Sequence, residues 1–117
     1  MSGFRELPVD GRMAARLWES WVGVSDADLL DVVNDDAVCR DEAELMFPEP
    51  DDLAGIAEAR DVCAACPVQA QCLLLALRTG EDEHGVWGGF TPEERHTLHR
   101  SASWHLTRRA AAGPEVA

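Results

Sequence analysis

All four cysteines of this 117-residue chain lie between Cys39 and Cys72. Twenty-three residues separate Cys39 from Cys63, two separate Cys63 from Cys66, and five separate Cys66 from Cys72. A chain of this length buries only a small hydrophobic core, so a metal or a cross-link is expected to stabilise its fold. The gathered thiols therefore predict a shared iron-sulfur cluster, a zinc ion or a pair of disulfides.

The spacing of the cysteines favours the first of these three groups. Structural zinc usually takes two matched pairs of ligands, whereas here one close pair is joined by two single cysteines. Uneven intervals are more typical of iron-sulfur clusters. Disulfides are uncommon in the cytoplasm, where we expect this protein because the sequence shows neither a signal-peptide pattern nor a long apolar run. The residues thus favour a cluster, leave zinc open, and predict no membrane partner.

Helical periodicity runs through the chain, and no alternating strand pattern interrupts it. The sequence predicts an all-α fold, a small helical domain of four to six short helices wrapped around the four-cysteine site. The predicted helices are residues 12–22, 25–33, 52–66, 67–79, 92–99 and 104–112, and residues 37–39 form a single helical turn. Breaks are predicted at residues 34–36 and 101–103.

A glycine-rich segment, residues 85–90, follows the last cysteine and places three glycines around Trp87. Glycine tolerates left-handed backbone geometry, so the segment predicts a tight turn that presents Trp87 for contact. Thr91, Pro92 and Glu94 then form a helix start with a capping box.

Charge divides the chain unevenly. The net charge is -12, and because residues 91–117 carry four arginines against three glutamates, residues 1–90 carry -13. An acidic body repels phosphate, so any contact with nucleic acid must come from the C-terminal end or from a partner. The candidate phosphate contacts, with a solvated helix face as the alternative, are Arg95, Arg100, Arg108 and Arg109.

These motifs resemble the WhiB-like family of actinobacteria and their phages. The cysteine spacing, Phe47-Pro48, Cys66-Pro67-Val68 and the turn from Gly85 to Gly89 occur in the family's order, over roughly residues 36–100. The resemblance implies a regulator of transcription rather than an enzyme. It also implies a [4Fe-4S] cluster that reacts with nitric oxide or oxygen, with the ligands Cys39, Cys63, Cys66 and Cys72.

The same resemblance implies that the partner is the C-terminal domain of the primary sigma factor of RNA polymerase, with promoter DNA as a second candidate. Trp87 would contact the sigma factor with Met46 and Phe47 beside it. Gly88 and Gly89 would permit the close approach.

We divide the chain into an N-terminal helical extension (1–35), a cluster-binding domain with its glycine turn (36–90), and a C-terminal helix with a weakly basic tail (91–117). Two other functions remain open from the residues alone. One is a thiol-disulfide oxidoreductase that uses Cys63 and Cys66 in a cluster-free form, although no thioredoxin-like strand and helix pattern surrounds them. The other is a zinc-stabilised interaction module.

Overall fold

The computed structural model of the chain describes residues 10–37, 39, 44–80 and 84–112, which form five helices and no strand. The prediction of a small all-α domain is therefore confirmed. Among these helices none is by itself long and apolar enough to cross a membrane, and Leu53–Ala64 and Gln69–Thr79 reach that length and composition only as a pair bent by 117°. The helices are α1 (Gly11–Ser20), α2 (Asp26–Asp36), α3 (Leu53–Ala64), α4 (Gln69–Thr79) and α5 (Pro92–Ala112).

Polar side chains fix the start of four helices by accepting hydrogen bonds from the otherwise unpaired N–H groups of the first turn. Asp10, Ser25 and Asp52 each accept from the N–H three residues later, at 3.0, 3.1 and 2.9 Å. Thr91 accepts from the Glu94 N–H at 3.3 Å, and the Glu94 carboxylate accepts from the Thr91 N–H at 2.9 Å. The predicted capping box is thus confirmed.

Helix α4 lies at the centre of the core, as its broad apolar face predicts. One cluster of buried residues joins it to α1 and α5 through Ala14, Ala15, Leu73, Leu77, Leu98 and Ala102. A second cluster joins it to α2 through Leu29, Val33, Val68, Leu74 and Leu75. Trp18 packs against both clusters and Trp21 against the second, which confirms that the tryptophan pair belongs to the core.

The N-terminal helices are bonded to the rest of the domain as well as packed on it. Arg78 of α4 donates to the carbonyl of Trp21 at 3.4 Å and to that of Val24 at 2.7 Å. Its guanidinium also pairs with the Asp26 carboxylate at 2.7 Å. The segment that we treated as an extension therefore shares the core of the described residues.

Helix α5 runs without a break through Ser101 and Ala102, where the sequence predicted an interruption. These small residues instead allow α1 to pack against α5 at close range. Ala102 is fully buried, and a Cβ on Gly11 would lie 2.7 Å from the carbonyl carbon of Ser101. Close packing between helices thus outweighs the weak local preference of serine for turns.

Helix ends near the cysteines also differ from the predictions. Helix α2 continues to Asp36, and its cap Ala37 is extended, with φ -66° and ψ 127°, so the predicted turn at 37–39 does not begin there. Helix α3 ends at Ala64 rather than at Cys66. Helix α4 begins at Gln69 rather than at Pro67, because burial of Val68 in the second cluster holds that residue at a non-helical φ of -115° and ψ of 30°. Val38 and the predicted stop at 113–114 lie outside the described residues.

We expect Gly11→Ala to destabilise the fold, because the new methyl group would meet the Ser101 backbone and push α1 away from α5. Overpacking of this kind costs about 1–3 kcal/mol, which exceeds the gain of at most about 1 kcal/mol from replacing glycine in a helix. Urea unfolding followed by circular dichroism measures the difference. Gly23→Ala is the matched control, since nothing lies within 4 Å of that position. Equal effects of the two changes would contradict the close contact.

Candidate functional site

The four cysteine side chains line one cavity of about 330 Å³, here called the thiol cavity. Cys39 enters from the connection between α2 and α3, and Cys63 lies in the last turn of α3. Cys66 lies in the turn before α4, and Cys72 lies in the first turn of α4. The structure therefore brings together all four residues that the sequence singled out.

The cavity lies where two parts of the core meet. Cys39 and Cys63 belong to a third cluster, which also contains Met46, Ala59 and Val86. Cys66 and Cys72 instead pack against the second cluster. The sharp bend between α3 and α4 turns these two walls toward each other, and the Cys66 N–H, which donates to the Cys63 carbonyl at 3.0 Å, stabilises its start.

Residues 85–90 form the predicted tight turn, here called the glycine turn, over one side of the cavity. Gly85, Gly88 and Gly89 have positive φ angles of 106°, 59° and 89°, which confirms the left-handed geometry. A Cβ on Gly88 would lie 2.5 Å from the Leu73 Cβ and 2.7 Å from its Cα and N. Gly88 thus permits the turn to contact α4.

Side chains from three helices hold the carbonyl groups of the glycine turn. Arg95 of α5 donates to Gly85 at 2.8 Å and to Phe90 at 2.6 Å. Gln69 of α4 donates to Gly88 at 3.3 Å. Arg60 of α3 donates to Gly89 at 3.3 Å and pairs with the Glu94 carboxylate at 2.8 Å. The position of the turn therefore depends on all three helices that surround it.

This arrangement removes Arg95 from the candidate phosphate contacts. The side chain is fully buried and its guanidinium is directed at the turn, so it has no surface to offer a nucleic acid. Its spacing with Leu98 and Ala102, both buried on the same face of α5, was the signal that could have shown this. No comparable signal marks Gln69 or Arg60, which are ordinary polar residues of helices in the sequence.

Two of the four thiols are strongly shifted toward their protonated form. The pKa of Cys63 is raised to about 11, chiefly by burial and in smaller part by the neighbouring Cys39 and Cys66, against a hydrogen bond from the Gly89 backbone. Burial likewise raises the pKa of Cys72 to about 12, with a smaller opposing effect from the Gly88 backbone. Without a cation both groups are neutral at pH 7, and a bound metal would favour their thiolate forms.

The thiol cavity, with a volume of about 330 Å³ and four sulfur donors on its walls, has room for a group larger than one metal ion. Four thiolates around a single zinc ion lie about 3.8 Å apart, by the usual zinc–sulfur bond length. Among the described residues, no three side chains of His, Cys, Asp or Glu converge closely enough to hold one ion. A cluster with several irons suits sulfur donors spread around a cavity, since each thiolate then binds a different iron.

At the mouth of the cavity, Phe47 and Trp87 form an apolar rim with His84 between them. Phe47 is 46% exposed, and its ring centre lies 5.8 Å from that of His84. The half-buried Trp87 indole donates its N–H to the His84 carbonyl at 3.2 Å, which fixes the ring. Of the other residues predicted at the interface, Met46 is 5% exposed and Gly88 and Gly89 are buried, and both Met46 and Gly88 line the cavity.

The three remaining candidate phosphate contacts lie on the surface of α5. Arg100 and Arg108 are exposed, and the Arg108 guanidinium lies 4.9 Å from the centre of the Trp104 ring. Arg109 is also exposed and pairs with the Glu19 carboxylate of α1 at 3.0 Å.

Five helices, three of which line a four-thiol cavity together with a glycine turn, define a small cysteine-rich helical domain. The family model described as transcription factor WhiB matches residues 34–98, more than half of the chain and all four cysteines, and the chain belongs to this family.

Three proteins named as transcriptional regulators illustrate the similarity. The chain is 53% identical over 68 residues to the transcriptional regulator WhiB1 of Mycobacterium tuberculosis. The matched region covers 55% of this chain and 80% of the relative. It is 39% identical over 90 residues to WhiD of Streptomyces coelicolor, covering 69% and 80%. It is 40% identical over 67 residues to the redox-responsive transcriptional regulator WhiB3 of Mycolicibacterium smegmatis, covering 52% and 69%.

We expect Gly88→Ala to displace the glycine turn from α4. Left-handed geometry costs a residue with a Cβ about 1–2 kcal/mol, and the collision with the Leu73 backbone adds about 1–3 kcal/mol. The change should lower the free energy of unfolding by about 2–5 kcal/mol and speed alkylation of Cys72, because it opens the wall beside that thiol. Gly23→Ala again serves as the control. A variant with unchanged stability and unchanged thiol protection would show that the turn does not depend on this contact.

Proposed function

We propose that this protein is an iron-sulfur-dependent regulator of transcription that binds the C-terminal domain of the primary sigma factor through the rim of the thiol cavity. The observation that carries the proposal is the position of Phe47 and Trp87 at the mouth of the cavity that all four cysteines line. A group bound by the thiols and a partner bound at the rim would then both contact the same wall of the cavity.

The ligands in this proposal would hold a [4Fe-4S] cluster, for which the donor set is suitable because soft thiolate sulfur favours iron-sulfur groups. When bound, such a cluster supplies redox-active iron that can react with nitric oxide or oxygen. The name of the relative WhiB3, a redox-responsive regulator, supports a response of this kind. The cysteines concerned are Cys39, Cys63, Cys66 and Cys72.

The residues of this chain would convert a change at the thiols into a change at the rim. Val86 of the glycine turn donates its N–H to the Met46 carbonyl at 2.7 Å, so the turn and the segment before Phe47 move together. Both Met46 and Val86 pack against Cys63. Loss of ligation at Cys63 and Cys39 would loosen this cluster and with it the positions of Phe47 and Trp87.

The raised pKa values of Cys63 and Cys72 weigh against the oxidoreductase alternative. A redox-active cysteine pair needs a thiolate at neutral pH and therefore a lowered pKa. Burial does the opposite here, because it raises the pKa of Cys63 to about 11. A role in regulation rather than catalysis also agrees with the names of the relatives.

Promoter DNA is the second proposed partner, and its contacts would be made by the exposed arginines of α5. A regulator that binds sigma factor works beside DNA in the bacterial cytoplasm. Because the exposed arginines of α5 are few, they can make few phosphate contacts, and we expect the protein alone to bind DNA weakly. These residues are Arg100, Arg108 and Arg109.

We expect protein purified without oxygen to be coloured and to contain about four irons and four sulfides per chain, as a [4Fe-4S] cluster requires. Absorption spectra and chemical assays of iron and sulfide measure this. Cys72→Ser should abolish the colour, whereas Ser103→Ala, which changes a hydroxyl on α5 away from the cavity, should retain it. A colourless protein with one zinc ion would refute the cluster.

We expect Trp87→Ala to weaken binding to the sigma-factor domain by at least about 2 kcal/mol, or roughly 30-fold, because tryptophan at the centre of an interface often contributes this much. A pull-down or calorimetric titration with protein of equal iron content makes the comparison. Trp104→Ala is the control, since that tryptophan is 56% exposed on α5 and does not line the cavity. Equal binding by both variants would count against the rim.

A further inference from the structure

A second cleft, here called the arginine cleft, lies between α1 and α5 and has a volume of about 400 Å³. Every side chain that lines it is basic: Arg12, Arg16, His105, Arg108 and Arg109. It shares no residue with the thiol cavity. All five positions also lie outside residues 34–98, the part of the chain that the WhiB family model matches.

The packing of two parallel helices builds this cleft. Gly11 of α1 lies against Ser101 of α5, and eight residues further along each helix Glu19 pairs with Arg109. The helices therefore run side by side in the same direction. Arg12 and Arg16, one turn apart on α1, then share a face that opposes the last turns of α5.

The charge of the cleft contrasts with that of the molecule. Four arginines share the site, and the carboxylate paired there is Glu19, which contacts Arg109. Among the described residues, Arg12 and Arg16 pair with no carboxylate. The rest of the chain is strongly acidic, but charges more than about 10 Å away are largely screened at 0.1 M salt. Like charges gathered in this way repel one another until an anion binds between them.

Arginine also indicates which anion fits. Its planar guanidinium binds phosphate through two parallel N–H groups, and arginine is favoured over lysine at such sites. Arg108 is already held flat at 4.9 Å from the Trp104 ring, which limits the entropy lost when it binds. Trp104 is the exposed aromatic residue beside the cleft. A single tryptophan offers too little apolar surface for insertion into a lipid bilayer, which argues against a membrane as the partner.

We infer that the arginine cleft between α1 and α5 binds the phosphate backbone of duplex DNA, with Arg12 and Arg16 of α1 contributing as much as the arginines of α5. The inference rests on the proposed function, in that it assigns the DNA contact of a promoter-bound regulator to specific residues. It places that contact on a surface separate from the rim, so both partners can be bound at once.

The test is a titration of the full-length protein, purified without oxygen, with a fluorescent DNA duplex at several salt concentrations. Each phosphate contact contributes about 0.9 to the slope of log K against log salt. Arg16→Gln should lower the slope by about 1, and Arg12→Gln combined with Arg16→Gln by about 2. Arg16→Lys, which keeps the charge, should keep most of the slope.

Thr97→Glu is the matched control, because it also lowers the net charge by one, at an exposed position of α5 that does not line the cleft. Its slope should equal that of the unchanged protein. A loss of slope with Thr97→Glu but not with Arg16→Gln would overturn the inference. So would an unchanged protein that fails to bind duplex at low salt, or that binds phosphatidylglycerol vesicles instead.

The sigma-factor pull-down separates this inference from the proposed function. The double variant should bind the sigma-factor domain as the unchanged protein does, because the rim is intact. If it does so but keeps the full salt slope, the cleft is wrong and the proposed function stands. If the unchanged protein fails to bind the sigma-factor domain, the salt slopes still report on the cleft.

Discussion

The contact of Gly88 with the backbone of Leu73 determines how closely the glycine turn lies over the thiol cavity. Helix α4 carries Cys72 in its first turn and Leu73 beside it, so the same stretch of helix supplies a thiol and receives the turn. A side chain at Gly88 would enforce a gap between them. The wall of the cavity, the rim above it and the protection of two thiols all depend on this lack of a Cβ.

Hydrogen bonds then connect the turn to each of the three helices that surround it. Its carbonyls accept from Arg60, Gln69 and Arg95, which come from α3, α4 and α5. Buried polar groups of this kind are costly when one partner is removed, because the other is left unsatisfied. The turn is therefore held by the domain as a whole, although its own sequence is only three glycines and three apolar residues.

The parts of the fold that local chemistry determines could be predicted from the sequence. The caps at Ser25, Asp52 and Thr91, the left-handed glycines and the four-cysteine cavity follow from residue type and spacing. The uninterrupted course of α5 and the burial of Arg95 could not be predicted, because both depend on which helix lies opposite. The cleft formed with Arg12 and Arg16 was missed for the same reason, since it exists only once α1 lies beside α5.

Helix α5 connects two regions that the sequence shows as separate. Arg95 holds the glycine turn and Arg109 lines the arginine cleft, about 21 Å apart at the usual rise of an α-helix. The helix has no break between them at which it could bend. A shift of the turn must therefore either stretch the hydrogen bonds of Arg95 or move α5 as a rigid body. In the second case the arginines at the C-terminal end of α5 move with it.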